Sequence, residues 1–212
     1  MNSSTILTRN SLLGRELVRA LEDRFFDAYY CECREDAIAK ALSLIKEGST
    51  VTWGGSQTIR DIGLVSAVKN GNFIAYDRDD VPPSQKAEFA KKHFFSDVYL
   101  TSVNALTEDG ILFNIDGRGN RVASMIYGPE SVIVVVGINK VVKDLDAAIS
   151  RARNTAAPIN AQRFDIKTPC KITGKCADCK SADCICSYMV TTRLCNPPKK
   201  IKVIIVGENL GF

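Results

Sequence analysis

The sequence predicts an α/β fold with a mainly parallel sheet, and three observations lead to that prediction. Segments with helical spacing of apolar residues alternate with short strand-like runs along most of the chain. Residues 131–136 read SVIVVV, a β-branched run typical of a strand buried on both faces. Glycine-containing loops follow several of the strand-like runs, as they do where a strand passes into a helix.

The first half of the chain supplies alternating helices and strands. Leucines and a phenylalanine spaced three or four apart predict a helix over 8–29, and a similar pattern predicts a helix over 34–46, which Gly48 ends. The elements predicted next, in chain order, are a strand over 49–53, a helix over 57–69, a strand over 73–76, a helix over 84–94 and a strand over 97–101.

The second half begins with a predicted hairpin. The turn residues Asp109 and Gly110 separate the strand-like runs 103–106 and 111–115. The elements predicted after it are a helix over 121–127, the buried strand 131–136, a helix over 145–153, a short helix around Asn160 and a final strand over 201–206. Residues 168–195 are polar and rich in cysteine, and they are predicted to be an insertion before the last strand of a single domain spanning 1–212.

Composition limits the class of protein. The net charge is only +4, and no basic block occurs, so nucleic-acid binding is not expected. No secretory signal or apolar run long enough to cross a membrane is visible, so the protein is expected to be cytoplasmic and away from the membrane. Eight cysteines in a cytoplasmic protein indicate metal or redox chemistry before structural disulfides.

Several motifs together resemble one family. They are WGGSQT at 53–58, NALTEDG at 104–110, NIDGRGNRV at 114–122, GPESVIVVVGINK at 128–140, AAPINA at 156–161 and VIIVGENLG at 203–211. This set resembles the LUD domain, the family of lactate-utilisation protein C. The resemblance implies the three-layer fold shared by sugar-phosphate isomerases, glucosamine-phosphate deaminases and CoA transferases, with ligands at the carboxyl ends of the strands.

A glycine loop is the first candidate binding site. Gly54, Gly55, Ser56 and Thr58 lie between a predicted strand and a predicted helix. Glycines let a ligand approach the backbone, and a helix N-terminus offers free N–H groups to a phosphate or carboxylate. The alternative is an ordinary strand-to-helix turn that Ser56 caps.

A second group of candidates follows the hairpin. Asp116, Gly117, Gly119, Asn120 and Arg121 form a loop that is a candidate for binding an anionic ligand, although Asp-Gly pairs also simply form turns.

Three further residues are candidates for the chemistry of the site. Asn139 and Lys140 stand just past the carboxyl end of the buried strand, where an anion-binding lysine is expected. The fold resemblance implies proton transfer by acidic loop residues, for which Glu108 is the candidate catalytic group. His93, the single histidine, is expected to be structural.

The cysteine-rich segment is the candidate metal site. Cys170, Cys176, Cys179 and Cys186 have the spacing C-x5-C-x2-C-x6-C, and Cys184 is a possible further ligand. Soft thiolates favour zinc or an iron–sulfur cluster. Buried free thiols or a disulfide are the alternatives. No flavin or NAD fingerprint occurs, because the Gly117–Gly119 loop lacks the third spaced glycine.

Two functions follow from these observations. The resemblance implies a part in the oxidation of L-lactate to pyruvate, together with iron–sulfur partner proteins. The alternative is a stand-alone binder or enzyme for a small phosphorylated or CoA-linked ligand, as the wider fold suggests.

Overall fold

The structure is a computed structural model that describes residues 4–212. Its strands are β1 (Asp27–Cys31), β2 (Thr50–Trp53), β3 (Ile74–Tyr76), β4 (Val98–Thr101), β5 (Ala105–Thr107), β6 (Leu112–Asp116), β7 (Ser131–Gly137), β8 (Val141–Val142), β9 (Tyr188–Thr192) and β10 (Ile201–Val206). Its α-helices are α1 (Ser4–Glu22), α2 (Arg34–Ser43), α3 (Gln57–Asp61), α4 (Leu64–Lys69), α5 (Lys86–Phe89), α6 (Asn120–Ile126), α7 (Leu145–Arg151), α8 (Ala157–Ala161) and α9 (Pro169–Thr173). A π-helical turn, Ala152–Ala156, joins α7 to α8.

Six parallel strands form the main sheet, in the order β1-β10-β7-β4-β2-β3. This confirms the predicted mainly parallel α/β fold. The β-branched run lies in β7, near the centre of the sheet. Val132, Val134 and Val136 pack on one face, and Ile133 and Val135 pack on the other. A strand covered on both faces has no solvent side to alternate with, which is why its sequence is continuously apolar.

Helices and a second sheet cover the two faces of the main sheet. Helices α2, α3 and α4 cover one face. The other face is covered by α1, by α6 and by a four-stranded sheet in the order β8-β5-β6-β9. Leu106 and Leu112 of this smaller sheet face the main sheet, whereas Phe113 and Ile115 pack against α7 and the π-helical turn. The main sheet is therefore the middle layer of a three-layer arrangement.

The predicted hairpin is present, because β5 and β6 pair antiparallel across the turn at Asp109 and Gly110. Gly110 has φ +86°, and a Cβ there would lie 2.6 Å from the carbonyl oxygen of Ala20 in α1. The turn therefore needs glycine both for its backbone angle and for its contact with α1.

The helix predicted over 8–29 ends earlier in the structure. Helix α1 ends at Glu22, and the chain turns at Phe25, which has φ +67°, before β1 begins at Asp27. The apolar spacing continues through this turn because the ring of Phe26 enters the same core as Leu17 and Leu21. The predicted helix over 57–69 is likewise divided by Gly63, at φ +83°, into α3 and α4.

The predicted helix over 84–94 and the cysteine-rich segment also differ from expectation. The first consists of 3₁₀ turns around the single turn of α5. The second is more than an insertion, because it contains α9 and β9. Strand β9 pairs antiparallel with β6 over five residue pairs and forms the edge of the smaller sheet. No helix within residues 4–212 has the length and apolarity needed to span a membrane.

Candidate functional site

A cleft of about 990 Å³ opens at the carboxyl ends of β2, β4 and β7. In open α/β sheets, ligands bind at this edge. The charged side chains lining the cleft are six basic residues and three acidic ones: Arg78, Lys86, Arg118, Arg121, Lys140, Arg163, Asp116, Asp165 and Asp183. This excess of positive charge suits an anionic ligand.

Lys140 is the buried cation of the cleft. Its Nζ donates to Thr58 Oγ1 at 2.8 Å, to Ser102 Oγ at 3.1 Å and to the carbonyl oxygen of Val103 at 3.2 Å. The three groups meet because Lys140 follows β7, Ser102 follows β4 and Thr58 follows β2, and these strands are neighbours in the sheet. All three of these acceptors are uncharged.

The surroundings of Lys140 disfavour its charged form. The side chain is 3% exposed, and burial lowers its pKa to about 7. Arg151 and Arg121 lower the pKa further by repulsion, against a smaller opposing effect of Asp61. A bound anion supplies the negative charge that would stabilise the protonated amine.

The glycine loop predicted from the sequence forms one wall of this cleft. Gly55, Ser56 and Thr58 line it, and Arg163 donates to the carbonyl oxygen of Gly55 at 3.0 Å. Within residues 4–212, the buried hydroxyl of Ser56 has no hydrogen-bond partner. Gly54 lies behind this wall, where a Cβ would come within 2.6 Å of the hydroxyl of Tyr99.

The second predicted loop also reaches the cleft, but its polar groups are largely engaged within the protein. Asp116 accepts hydrogen bonds from the backbone N–H groups of Arg118, Gly119, Arg121 and Val122. Its carboxylate therefore caps the first turn of α6 and occupies backbone N–H groups of this loop that would otherwise be free to bind an anion.

The side chain of Arg121 is likewise engaged in hydrogen bonds within the protein. Its guanidinium donates to the carbonyl oxygens of Ser102 and Ile115 and to the side chains of Asn104 and Asn114. Burial lowers its pKa from the usual range. Arg121 thus ties the ends of β4 and β6 together, and its positive charge lies at the lining of the cleft.

The cleft brings together eight of the predicted ligand-binding residues: Gly55, Ser56, Thr58, Asp116, Gly117, Asn120, Arg121 and Lys140. Gly54, Gly119 and Asn139 stand outside its lining. Asn139 instead accepts a hydrogen bond from the backbone of Leu210 at 3.0 Å and fixes the loop after β10.

Glu108, the candidate catalytic residue, also stands outside the cleft lining. Its carboxylate pairs with Lys143 at 2.7 Å. The adjacent Asp109 is held by Arg24, which precedes the amino end of β1. The hairpin turn therefore lies away from the carboxyl ends of the main sheet, and Glu108 is not among the residues that line this cleft.

Ser102, Arg78 and Arg163 belong to the cleft but were missed in the sequence. Ser102 directly follows β4, so the rule that sites form at strand ends would have found it. Arg78 follows β3 in the same way. Arg163 comes from the loop after α8, and no local pattern marks it.

His93 lines the cleft as well, from a buried position. It lies between the rings of Phe89 and Tyr99, and burial lowers its pKa to about 4. Neither ring nitrogen has a hydrogen-bond partner within the described part of the chain. The imidazole is therefore neutral near pH 7.

The predicted metal ligands lie near one another beside the cleft. Cys186 interacts electrostatically with Cys184, Cys170, Cys176 and Cys179, and burial together with these neighbours raises its pKa to about 12. All five are free thiols. Across residues 4–212, no three His, Cys, Asp or Glu side chains are already arranged to hold a metal ion.

The chain is similar to a known protein family and to several solved structures. The family model of the LUD domain matches residues 14–206. The chain is similar in structure to a DUF162 family protein from Deinococcus radiodurans, at 12% identity and a TM-score of 0.55, with 93% of this chain and 98% of that chain covered. No curated protein sequence matches the chain significantly.

Two further solved structures are similar to about half of this chain. Ribose 5-phosphate isomerase A from Methanocaldococcus jannaschii has 19% identity and a TM-score of 0.34, covering 53% of this chain and 55% of that one. eIF2B beta from Chaetomium thermophilum has 14% identity and a TM-score of 0.39, covering 54% and 44%. Both TM-scores lie below 0.5. The fold is therefore assigned from the strand order of the main sheet and from the similarity to the Deinococcus radiodurans protein.

Proposed function

The chain belongs to the LUD domain family, and on that premise we propose that it binds a small organic anion in the cleft. We further propose that it acts in the cytoplasm in the oxidation of L-lactate to pyruvate, alongside iron–sulfur partner proteins. The lactate role and the partners come from the resemblance to lactate-utilisation protein C. The anion-binding role comes from the cleft itself.

Lys140 is the observation that carries the proposal. It is a buried amine whose three acceptors are uncharged, at the edge of the sheet where ligands bind. A carboxylate such as that of lactate or pyruvate would form a charge-assisted hydrogen bond with it by displacing one of these uncharged acceptors, since the ammonium has only three donors. The hydroxyl of Ser56, buried without a partner among the described residues, would offer a neighbouring donor.

Growth on L-lactate tests the proposed role in the cell. A strain that lacks the gene is expected to grow poorly on L-lactate, and the intact chain is expected to restore growth. The variant Lys140→Met should fail to restore it. Lys143→Met, a matched loss of an exposed lysine outside the cleft, should succeed. Normal growth of the deletion strain would contradict the lactate role.

The partners are tested separately. The tagged chain, purified from lactate-grown cells without oxygen, is expected to retain iron–sulfur proteins that are absent from a mock purification. Their absence would remove the partner part of the proposal and leave anion binding to be judged on its own.

The size of the cleft favours a second candidate, a phosphorylated or CoA-linked ligand. A volume of about 990 Å³ exceeds what lactate fills, and it falls within the range of sites for larger ligands. Arg78 and Arg163 stand beside Gly55, and guanidinium groups bind phosphate with two parallel hydrogen bonds.

Thermal unfolding with a panel of ligands separates the two candidates. Stabilisation by sugar phosphates or CoA derivatives, but not by lactate or pyruvate, would favour the second. The variant Gly55→Asp should then abolish the stabilisation, because it adds a negative charge to the wall. An added Cβ at Gly55 meets no atom closer than 3.8 Å, so the fold should tolerate the change.

A further inference from the structure

Five thiols gather in the segment that runs from α9 toward β9, and they are called here the thiol cluster: Cys170, Cys176, Cys179, Cys184 and Cys186. We propose that four of them, Cys170, Cys176, Cys179 and Cys186, bind one soft metal centre as thiolates, either zinc or iron. Cys184 stays outside the coordination sphere and faces the cleft. This proposal does not rest on the anion ligand.

Proximity is the first support. Cys186 lies within electrostatic reach of the other four thiols, although up to sixteen residues of sequence separate them. All of them are free thiols. Zinc and iron–sulfur centres take four thiolates, and soft ligands of this kind select these metals over magnesium or calcium.

The backbone of the segment is the second support. Residues 175–187, all of which are described, make one backbone–backbone hydrogen bond, from Cys184 N–H to the carbonyl oxygen of Ser181. Neither a helix nor a sheet ladder therefore fixes the path of this stretch between α9 and β9. A metal bound by cysteines from both ends of the stretch would cross-link it, as structural zinc does in small domains.

The same feature explains how the site would assemble. No three ligand-type side chains within residues 4–212 stand ready around a common point, so the thiols must draw inward on binding. Cys170 is anchored in α9, whose end at Gly174 is closed by a hydrogen bond back to its carbonyl oxygen. The residues that would move on metal binding are those of the loop 175–187, because few backbone hydrogen bonds hold it in place.

A positive charge accompanies the cluster. Arg153 donates to Cys176 Sγ at 3.7 Å and pairs with the carboxylate of Asp178. A guanidinium that donates to a ligating sulfur helps to orient it, as neighbouring groups do around metal sites. Asp178 is occupied by this pair, and Asp183 accepts the backbone N–H of Lys167, so neither carboxylate is free to compete as a hard ligand.

Cys184 differs from the four proposed ligands in its surroundings. Cys186 packs against the cluster that contains Phe113 and Ile115, on the inner side. Cys184 lines the cleft, and the four proposed ligands do not. Ile185 between them rests on Gly117, where a Cβ would lie 3.1 Å from Ile185 Cα. The sulfur of Cys184 accepts the backbone N–H of Cys186 at 3.4 Å, so this thiol is already engaged within the loop.

Metal analysis of the full chain, purified without oxygen, tests the proposal. We expect either one zinc per chain without colour, or iron accompanied by labile sulfide and visible absorption. The variants Cys176→Ser and Cys186→Ser should lose at least tenfold of the bound metal. Cys184→Ser should retain it, as should Cys195→Ser, a buried thiol outside the cluster that serves as the control.

Three outcomes would overturn the proposal. They are the absence of both metals from the wild-type chain, full occupancy in Cys186→Ser, and equal loss in Cys184→Ser. If the serine variants do not fold, titration of the metal-stripped wild-type chain with Co²⁺ decides. Visible bands of tetrahedral thiolate-bound cobalt are expected, and their absence would contradict the proposal.

Discussion

At the scale of single residues, Lys140 links the stability of the protein to pH. Its folded pKa of about 7 lies below its unfolded value of roughly 10.4. Between these values the unfolded chain binds more protons than the folded one, so the free energy of unfolding rises with pH. Below pH 7 the amine is protonated in both states, and the full cost of burying its charge is present.

The variant Lys140→Met should lose this pH dependence. Between pH 7 and pH 9, the free energy of unfolding of the wild type should increase relative to that of the variant by about 2 kcal/mol. Urea unfolding at the two pH values measures the difference. A constant difference would show that the amine keeps an ordinary pKa in the folded protein.

His93 gives a second pH-dependent term, in the acid range. Its folded pKa of about 4 lies below the unfolded value of roughly 6.5, so stability is lost as pH falls from 6.5 toward 4. Replacing it with phenylalanine, which suits the rings of Phe89 and Tyr99, should remove about 2 kcal/mol of the loss between pH 7 and pH 5. Urea unfolding of wild type and His93→Phe at both pH values tests this, and parallel losses would contradict it.

At the scale of elements, Asp116 is expected to hold helix α6 in place. Its carboxylate accepts four backbone N–H groups, whereas Asp144 accepts one, from Ala147 at the start of α7. Asp144→Ala should cost about 1 kcal/mol, the usual value for a helix cap. Asp116→Ala should cost about 2 kcal/mol or more, because more donors lose their partner in a buried place. Equal losses of unfolding free energy would show that the additional bonds contribute little.

Elements with a recognisable local pattern of apolar or turn residues were predicted from the sequence. Elements that form only by pairing with a strand distant in the sequence were not. The five residues of β7 that precede Gly137 are continuously apolar, and the β5–β6 hairpin has its Asp-Gly turn, so both were found. Strand β9 has the sequence YMVTT and is half exposed, and only its pairing with β6 makes it a strand. Strand β1 was hidden because Phe26 continues the apolar spacing of α1 past the turn.

At the scale of the whole molecule, the order of strands creates the cleft. Thr58 and Lys140 were predicted separately, each because it follows a strand. Their hydrogen bond joins positions 82 residues apart and exists because β4 alone separates β2 from β7. Sequence reasoning gave the residues at strand ends but not which ends are neighbours. For the same reason it could not show that Arg163 lines the cleft or that Glu108 lies outside the lining.

Calorimetric titration of pyruvate into the full chain tests most directly whether the cleft at Lys140 binds an anion. Binding is expected for the wild type and for Lys143→Met, and Lys140→Met should weaken it at least tenfold. Affinity should also fall as pH rises above about 7, because the amine loses its proton there. If pyruvate fails to bind, the same titration with a sugar phosphate decides between the two candidate ligands. Unchanged affinity for the bound anion in Lys140→Met would contradict the account.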